Sequence, residues 1–241
     1  MIRKHARAVA LMAALVVGVA PAATAAESDG TSAVDELVRL NPGTTADEMR
    51  SAIAAEAKAS GRTDQEVADA TLAEARSESG QIGVRQNRVA SSGGGADKSK
   101  RLGKARQGGD VFWYDSATDH VGLYTSAAYI VEAPGAGKVV RKLQAKSKKV
   151  PSKTYKMAVK VSQAKRNASA AWATTKRGKA YNLNFAFNKK VTASKYNCSQ
   201  LVWAAYKAKA KVDLDSNGGT GVYPGNIRDS KKVSIYSKKQ G

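Results

Sequence analysis

The segment Asp119-His120-Val121-Gly122-Leu123-Tyr124-Thr125-Ser126-Ala127-Ala128-Tyr129-Ile130-Val131-Glu132-Ala133 holds two runs rich in aliphatic and aromatic residues on either side of a small-residue turn. This is the composition of a β-hairpin. With the turn centred near Ala127, residues whose numbers sum to about 254 face each other, so His120 opposes Pro134 and Gly122 opposes Glu132. His120 and Glu132 then share a face as diagonal neighbours, roughly 7–8 Å apart at Cα and within side-chain reach. A carboxylate there can hold an imidazole in one tautomer and stabilise its cation. The plainer alternative is a solvated cross-strand pair.

Outward from the hairpin, the pattern gives strands at Asp110–Tyr114, Val139–Leu143 and Tyr155–Val161. Ser162 is placed to cap a helix that turns Ala168, Ala171 and Trp172 inward and stops at Gly178. A last amphipathic helix runs from Cys198 to Ala208, with Leu201, Val202, Ala205 and Tyr206 on one face. These elements predict an α+β fold, an antiparallel sheet with helices packed on it. The spacing places Cys198 in the first turn of its helix. There the macrodipole and unpaired N–H groups favour the thiolate, the nucleophilic form. The alternative for a single cysteine is a small buried hydrophobe.

The N-terminus adds compartment and arithmetic. Arg3, Lys4 and Arg7, an apolar run from Ala8 to Ala20, and Ala23-Thr24-Ala25 read as a signal peptide over residues 1–26. The run is too short for a bilayer span, which takes about 20 residues. Secretion is expected, with no transmembrane segment. Cleavage would remove one of the two histidines, leaving His120 as the sole imidazole beside Cys198 as the sole thiol. A single cysteine gives no disulfide framework, so burial must stabilise the fold. Loss of three basic leader residues takes the formal charge from +20 to +17. Glu27–Asp97 has 7 basic and 13 acidic residues, net −6, whereas Lys98–Gly241 has 30 basic and 7 acidic, net +23. Such asymmetry points to a polyanionic partner or to pairing between the halves. For a secreted bacterial chain the nearest polyanions are cell-wall polymers and lipid headgroups.

Residues 27–79 read as an acidic helical segment. A short helix over Val34–Leu40 ends at Asn41-Pro42-Gly43. Capping boxes at Thr45/Glu48 and Thr63/Glu66 start two more helices. This segment either covers the site or assists folding as a propeptide does, or is a spacer. Residues 80–106, including Ser91-Ser92-Gly93-Gly94-Gly95, have linker composition. Residues 107–241 remain as the main domain.

The hairpin, Gly109-Asp110-Val111-Phe112 before it and Tyr196-Asn197-Cys198-Ser199-Gln200-Leu201-Val202-Trp203 after it resemble NlpC-type cysteine hydrolases. The histidine precedes the cysteine, so the resemblance is to the circularly permuted, papain-like branch, the YiiX/YebB-like hydrolases. Gly178-Lys179-Ala180-Tyr181-Asn182, Asp213-Leu214-Asp215-Ser216-Asn217-Gly218-Gly219 and Pro224 also resemble that branch. The resemblance covers about Gln107 to Tyr236. It implies a secreted, wall-associated cysteine hydrolase cleaving an amide, in peptidoglycan peptide or an N-acyl substrate. Cys198 would be nucleophile, His120 base and Glu132 third member. Tyr114 and Gln200 would flank the oxyanion position, and the Cys198 backbone N–H is a natural oxyanion donor. Glu132 departs from the His, Asn or Gln often found third.

No cofactor, metal or specific nucleic-acid partner is implied, and a monomer is expected. Asp213-x-Asp215-x-Asn217-Gly218 begins like a calcium loop, but Pro224 stands at the twelfth position, where Glu is needed; a tight polar turn is the competing reading. Gly135-Ala136-Gly137-Lys138 is too short for a phosphate loop. The competing function is a non-catalytic wall- or polyanion-binding protein on the same scaffold.

Overall fold

Capping chemistry starts the helices where the side chains dictate. The computed structural model describes residues 32–91, 99–116 and 119–239, and the segment expected as a signal peptide and Ser92–Gly95 lie outside these. Helix α1 (Ala33–Leu40) is capped by Ser32, whose hydroxyl accepts from the Asp35 N–H. Helix α2 (Ala46–Ser60) opens on the complete Thr45/Glu48 box and ends at Gly61, in the left-handed region at φ 70°. Thr63 and Glu66 exchange the same pair of bonds at the start of α3 (Asp64–Ser91). Helix α3 runs past Gly80 to Ser91, through residues read above as linker. The glycines at 80 and 83 each cost only about 1 kcal/mol in a helix, and their neighbours include good helix formers.

The main sheet has six antiparallel strands. In chain order these are β2 (Val111–Tyr114), β3 (His120–Tyr124), β4 (Tyr129–Glu132), β5 (Arg141–Gln144), β7 (Thr154–Val159) and β8 (Val233–Lys239). Their spatial order is β5-β4-β3-β2-β7-β8. A separate two-stranded ribbon pairs β1 (Lys100–Arg101) with β6 (Lys149–Val150). The hairpin register is Leu123↔Val131 and Tyr124↔Ile130, the pairing expected from the turn position. Gly122 lies opposite Phe112, whose ring occupies the space a β-carbon would need.

Helices α4 (Gln163–Thr174) and α5 (Cys198–Ala210) pack on the sheet through Val111, Trp113, Val121, Leu123 and Met157. Phe112, Tyr124 and Ile130 point into a second core with Leu102, so both faces of the sheet are covered. Three expectations need correction. In α4, Ala168 and Ala171 are exposed, while Ser169, Ala170 and Ala173 face the core; Trp172 packs against that core as expected, with Lys176 over its ring. Alanine falls on every side of this helix, so hydropathy offers no contrast to fix its rotation. Helix α5 is not amphipathic in its first nine residues, since Cys198 through Tyr206 are all buried. The expected Val139–Leu143 strand sits slightly later, as β5. Other elements were not anticipated: the short β1–β6 ribbon, α6 (Pro224–Asp229) and β8, whose brief Val-Ser-Ile-Tyr run lies between two lysine pairs.

The helical segment belongs to the same compact unit as the sheet. Leu37, Met49, Ile53, Val67 and Leu72 form its core, which takes in Ala186 of the main domain. Asn41, only 1% exposed, fixes the junction. Its Oδ1 accepts from the Phe185 and Ala186 N–H groups at 2.9 and 3.2 Å, and its Nδ2 donates to the Leu37 carbonyl.

Candidate active site

Asn197 sets the geometry around the sulfur. As the cap of α5 its buried Oδ1 accepts from the Gln200 N–H at 2.8 Å, and from Ser199 Oγ and Asn188 Nδ2. Cys198 is therefore the first helical residue, with the positive end of the helix at its thiol. The thiol is 2% exposed and meets the His120 ring at the first residues of β3. Two positions 78 apart in sequence are thus in contact.

His120 is held from three sides. Its Nε2 is 2.9 Å from Glu132 Oε2. With that nitrogen engaged, Nδ1 is the one left for the sulfur. Tyr114 stacks on the ring at 5.0 Å between centroids, and Phe112 lies 6.0 Å away. Asp119, just before it, takes a left-handed backbone at φ 47° and closes a tight turn on Ser116, which aims the start of β3. Glu132 is fully buried and is not a simple solvated pair. Arg141, its cross-strand partner, donates to Oε1 through Nε and Nη2 at 3.0 and 2.8 Å, and Lys148 Nζ is 2.8 Å from Oε2.

The electrostatics follow. Burial opposes charge on Cys198, but the His120 hydrogen bond and charge, the Val121 N–H and the Tyr181 hydroxyl outweigh it, and the thiol pKa falls. Burial likewise disfavours the imidazolium, yet Cys198 and Glu132 raise the His120 pKa. Burial would raise that of Glu132, but His120 and Lys148 hold it below the usual carboxylate range. The arrangement favours a thiolate–imidazolium pair backed by a carboxylate, suited to attack on a carbonyl carbon.

Tyr114 stacks on the imidazole, and burial together with the Glu132 and Cys198 charges raises its hydroxyl pKa. The hydroxyl that reaches the sulfur is that of Tyr181, 4.0 Å from Sγ. Gln200 braces the loop carrying Tyr181: its Oε1 accepts from Asn182 Nδ2 at 2.9 Å and its Nε2 donates to the Lys190 carbonyl at 3.2 Å. Arg141, Lys148 and Tyr181 were missed as members of the cluster. Arg141 was findable only from the β4–β5 register, which the Gly135–Lys138 turn does not specify. The acidic turn binds the protein itself: Asp213 pairs with Lys207 and accepts from Trp203, Asp215 pairs with Lys189, and Asn217 donates to Glu74. Among the described residues no group of three His, Cys, Asp or Glu side chains is arranged for a metal ion, and no helix is long and apolar enough to cross a membrane.

A thiol at the head of a central helix, packed against an antiparallel sheet that supplies the imidazole from an earlier strand, defines a papain-like hydrolase with its chain order permuted. Residues 104–233 match the family described as permuted papain-like amidase enzyme, YaeF/YiiX, and the chain belongs to that family. It is thereby a cysteine hydrolase of the amidase or peptidase type. A Bacillus subtilis (strain 168) protein described as uncharacterized protein YycO is 33% identical over 213 residues, covering 83% of this chain and 84% of its own length. A match of that extent cannot fit after residue 104, so it takes in much of the helical segment. The crystal structure of metalloprotein yiiX from Escherichia coli is 16% identical, with a TM-score of 0.39 over 56% of this chain and 98% of that one.

Proposed function

We propose that the protein is a secreted, wall-associated amidase in which Cys198 attacks an amide carbonyl, His120 relays the proton and Glu132 orients the ring. The contact of the lone mature thiol with the lone mature imidazole, itself bonded to a buried carboxylate, supports this reading most. The thiolate adds to the carbonyl carbon, and the oxyanion that forms lies at the head of α5, near the Cys198 N–H. Imidazolium then protonates the leaving amine as the C–N bond breaks, leaving a thioester. Water deprotonated by His120 hydrolyses the thioester and restores the thiol. The Tyr181 hydroxyl is placed to donate to the sulfur or to the oxyanion. Substrates compatible with this chemistry are peptidoglycan peptides and other N-acyl amides.

Incubating purified wall fragments with wild type and Cys198→Ala tests the reading. Turnover should fall by about 10⁴-fold or more in the variant, and equal release of new amines by both would overturn it. The net charge of +23 after Asp97 favours a second property, binding of anionic wall polymers. Cys198→Ala should retain that binding.

A further inference from the structure

Tyr181, Asn182 and Gln200 line a cleft of about 640 Å³ whose opposite wall is helix α2; Cys198 and His120 are not part of its lining, and Tyr181 is the residue shared between cleft and sulfur. We propose that this cleft is the substrate groove, that it takes a peptide rather than a fatty acyl chain, and that α2 sets its specificity. The proposal rests on the hydrolase reading above and adds the class of substrate. Proximity to the reacting atom, through Tyr181, comes first. Tyr181 lines the cleft and carries the hydroxyl 4.0 Å from the sulfur, while Gln200 lies one residue beyond Ser199 and is locked to Asn182. The volume is that of sites which enclose small ligands, about 300–1,000 Å³.

The lining chooses between substrates. The lining is mixed: Asn184, Ser194 and Lys190 from the loop and Ser51 from α2 present polar groups between apolar Leu183, Phe187, Ala52 and Ala193. Glu48 of α2 faces Lys195 across the cleft, and the pattern suits a peptide's alternating backbone and side chains. An acyl chain laid there would strip water from the polar groups without replacing their hydrogen bonds, at about 1–3 kcal/mol for each group left unsatisfied. A peptide brings one donor and one acceptor per residue. The wall is rigid because Met49, Ile53 and Ala57 anchor the other side of α2 in the helical core. Exposed Ser51 and Ala55 are left along the groove, and exposed Ala54 is off it.

Three thiol reagents test this: iodoacetamide, N-acetyl-trialanine chloromethyl ketone and decanoyl chloromethyl ketone. With each ketone the Cys198 Sγ–C bond forms as the C–Cl bond breaks and chloride leaves. Ser51→Trp and Ala55→Trp should each slow the peptidyl reagent by about tenfold or more, while iodoacetamide labelling stays within about twofold and Ala54→Trp behaves as wild type. Wild type should react faster with the peptidyl than with the decanoyl reagent. Indifference of the peptidyl rate to both groove variants, or preference for the decanoyl reagent, would overturn the assignment while leaving the hydrolase intact. A wild-type thiol inert to iodoacetamide would overturn the hydrolase reading and this inference with it.

Discussion

Glu132 shows how one residue can be read correctly in position and incompletely in role. Parity along the hairpin puts it on the His120 face, and the 2.9 Å contact follows. The sequence has no mark for the two cations that share its carboxylate, because Arg141 and Lys148 arrive from a later strand and the turn after it. Their presence makes Glu132 a buried charge with partners, and removal of that charge should be felt in titration. Glu132→Gln should lower kcat/KM by about 10²–10⁴-fold, as loss of an orienting carboxylate does. The sign on pH is fixed. Glu132 helps raise the His120 pKa, so its loss lowers that pKa, and the alkaline limb of kcat/KM moves to lower pH. A pH–rate profile with unmoved limbs would remove Glu132 from the site.

Among the elements, capped helices and the His hairpin were legible, whereas α6, β8 and the rotation of α4 were not. Side chains that close their own backbone bonds, such as Thr45 with Glu48, act locally and leave a mark at fixed spacing. Long-range partners leave none, and Asn41 is the clearest case: it reads as a helix stop and also satisfies two N–H groups 144 and 145 residues away. Asn41→Ala should orphan them and cost about 1–3 kcal/mol, measured by urea unfolding; an unchanged midpoint would mean that water replaces the amide. Helix α3 makes a different kind of contact. Its Glu74 accepts from Asn217 and the Gly221 N–H, and its Glu78 from Asn226. Burial raises both pKa values above 4.5. Their charged forms are therefore the strained ones, and the strain is relieved as pH falls through the raised values. Protection factors of the 217–226 loop amides, corrected for the intrinsic pH dependence of exchange, should rise as pH falls through those raised values, and the Glu74→Gln/Glu78→Gln pair should lose that rise.

For the whole molecule, the charge contrast between the halves matters less than the apolar junction between them. The acidic helices share a core with Ala186, cap its backbone through Asn41 and hold the 217–226 loop through Glu74 and Glu78. That dependence favours a lasting structural role over a removable cover or a spacer. Deleting Glu27–Gly95 should lower the folded yield and leave no fraction with raised activity. A truncated protein that is well folded and more active would restore the propeptide interpretation.

The most direct test of the thiolate–imidazolium pair is the pH dependence of Cys198 alkylation by iodoacetamide, in wild type and His120→Ala. The account predicts a wild-type rate that has already levelled off well below 9.0, the ordinary thiol value, and a variant whose rate rises only at alkaline pH. Wild-type and variant thiols titrating together at the ordinary value would contradict it.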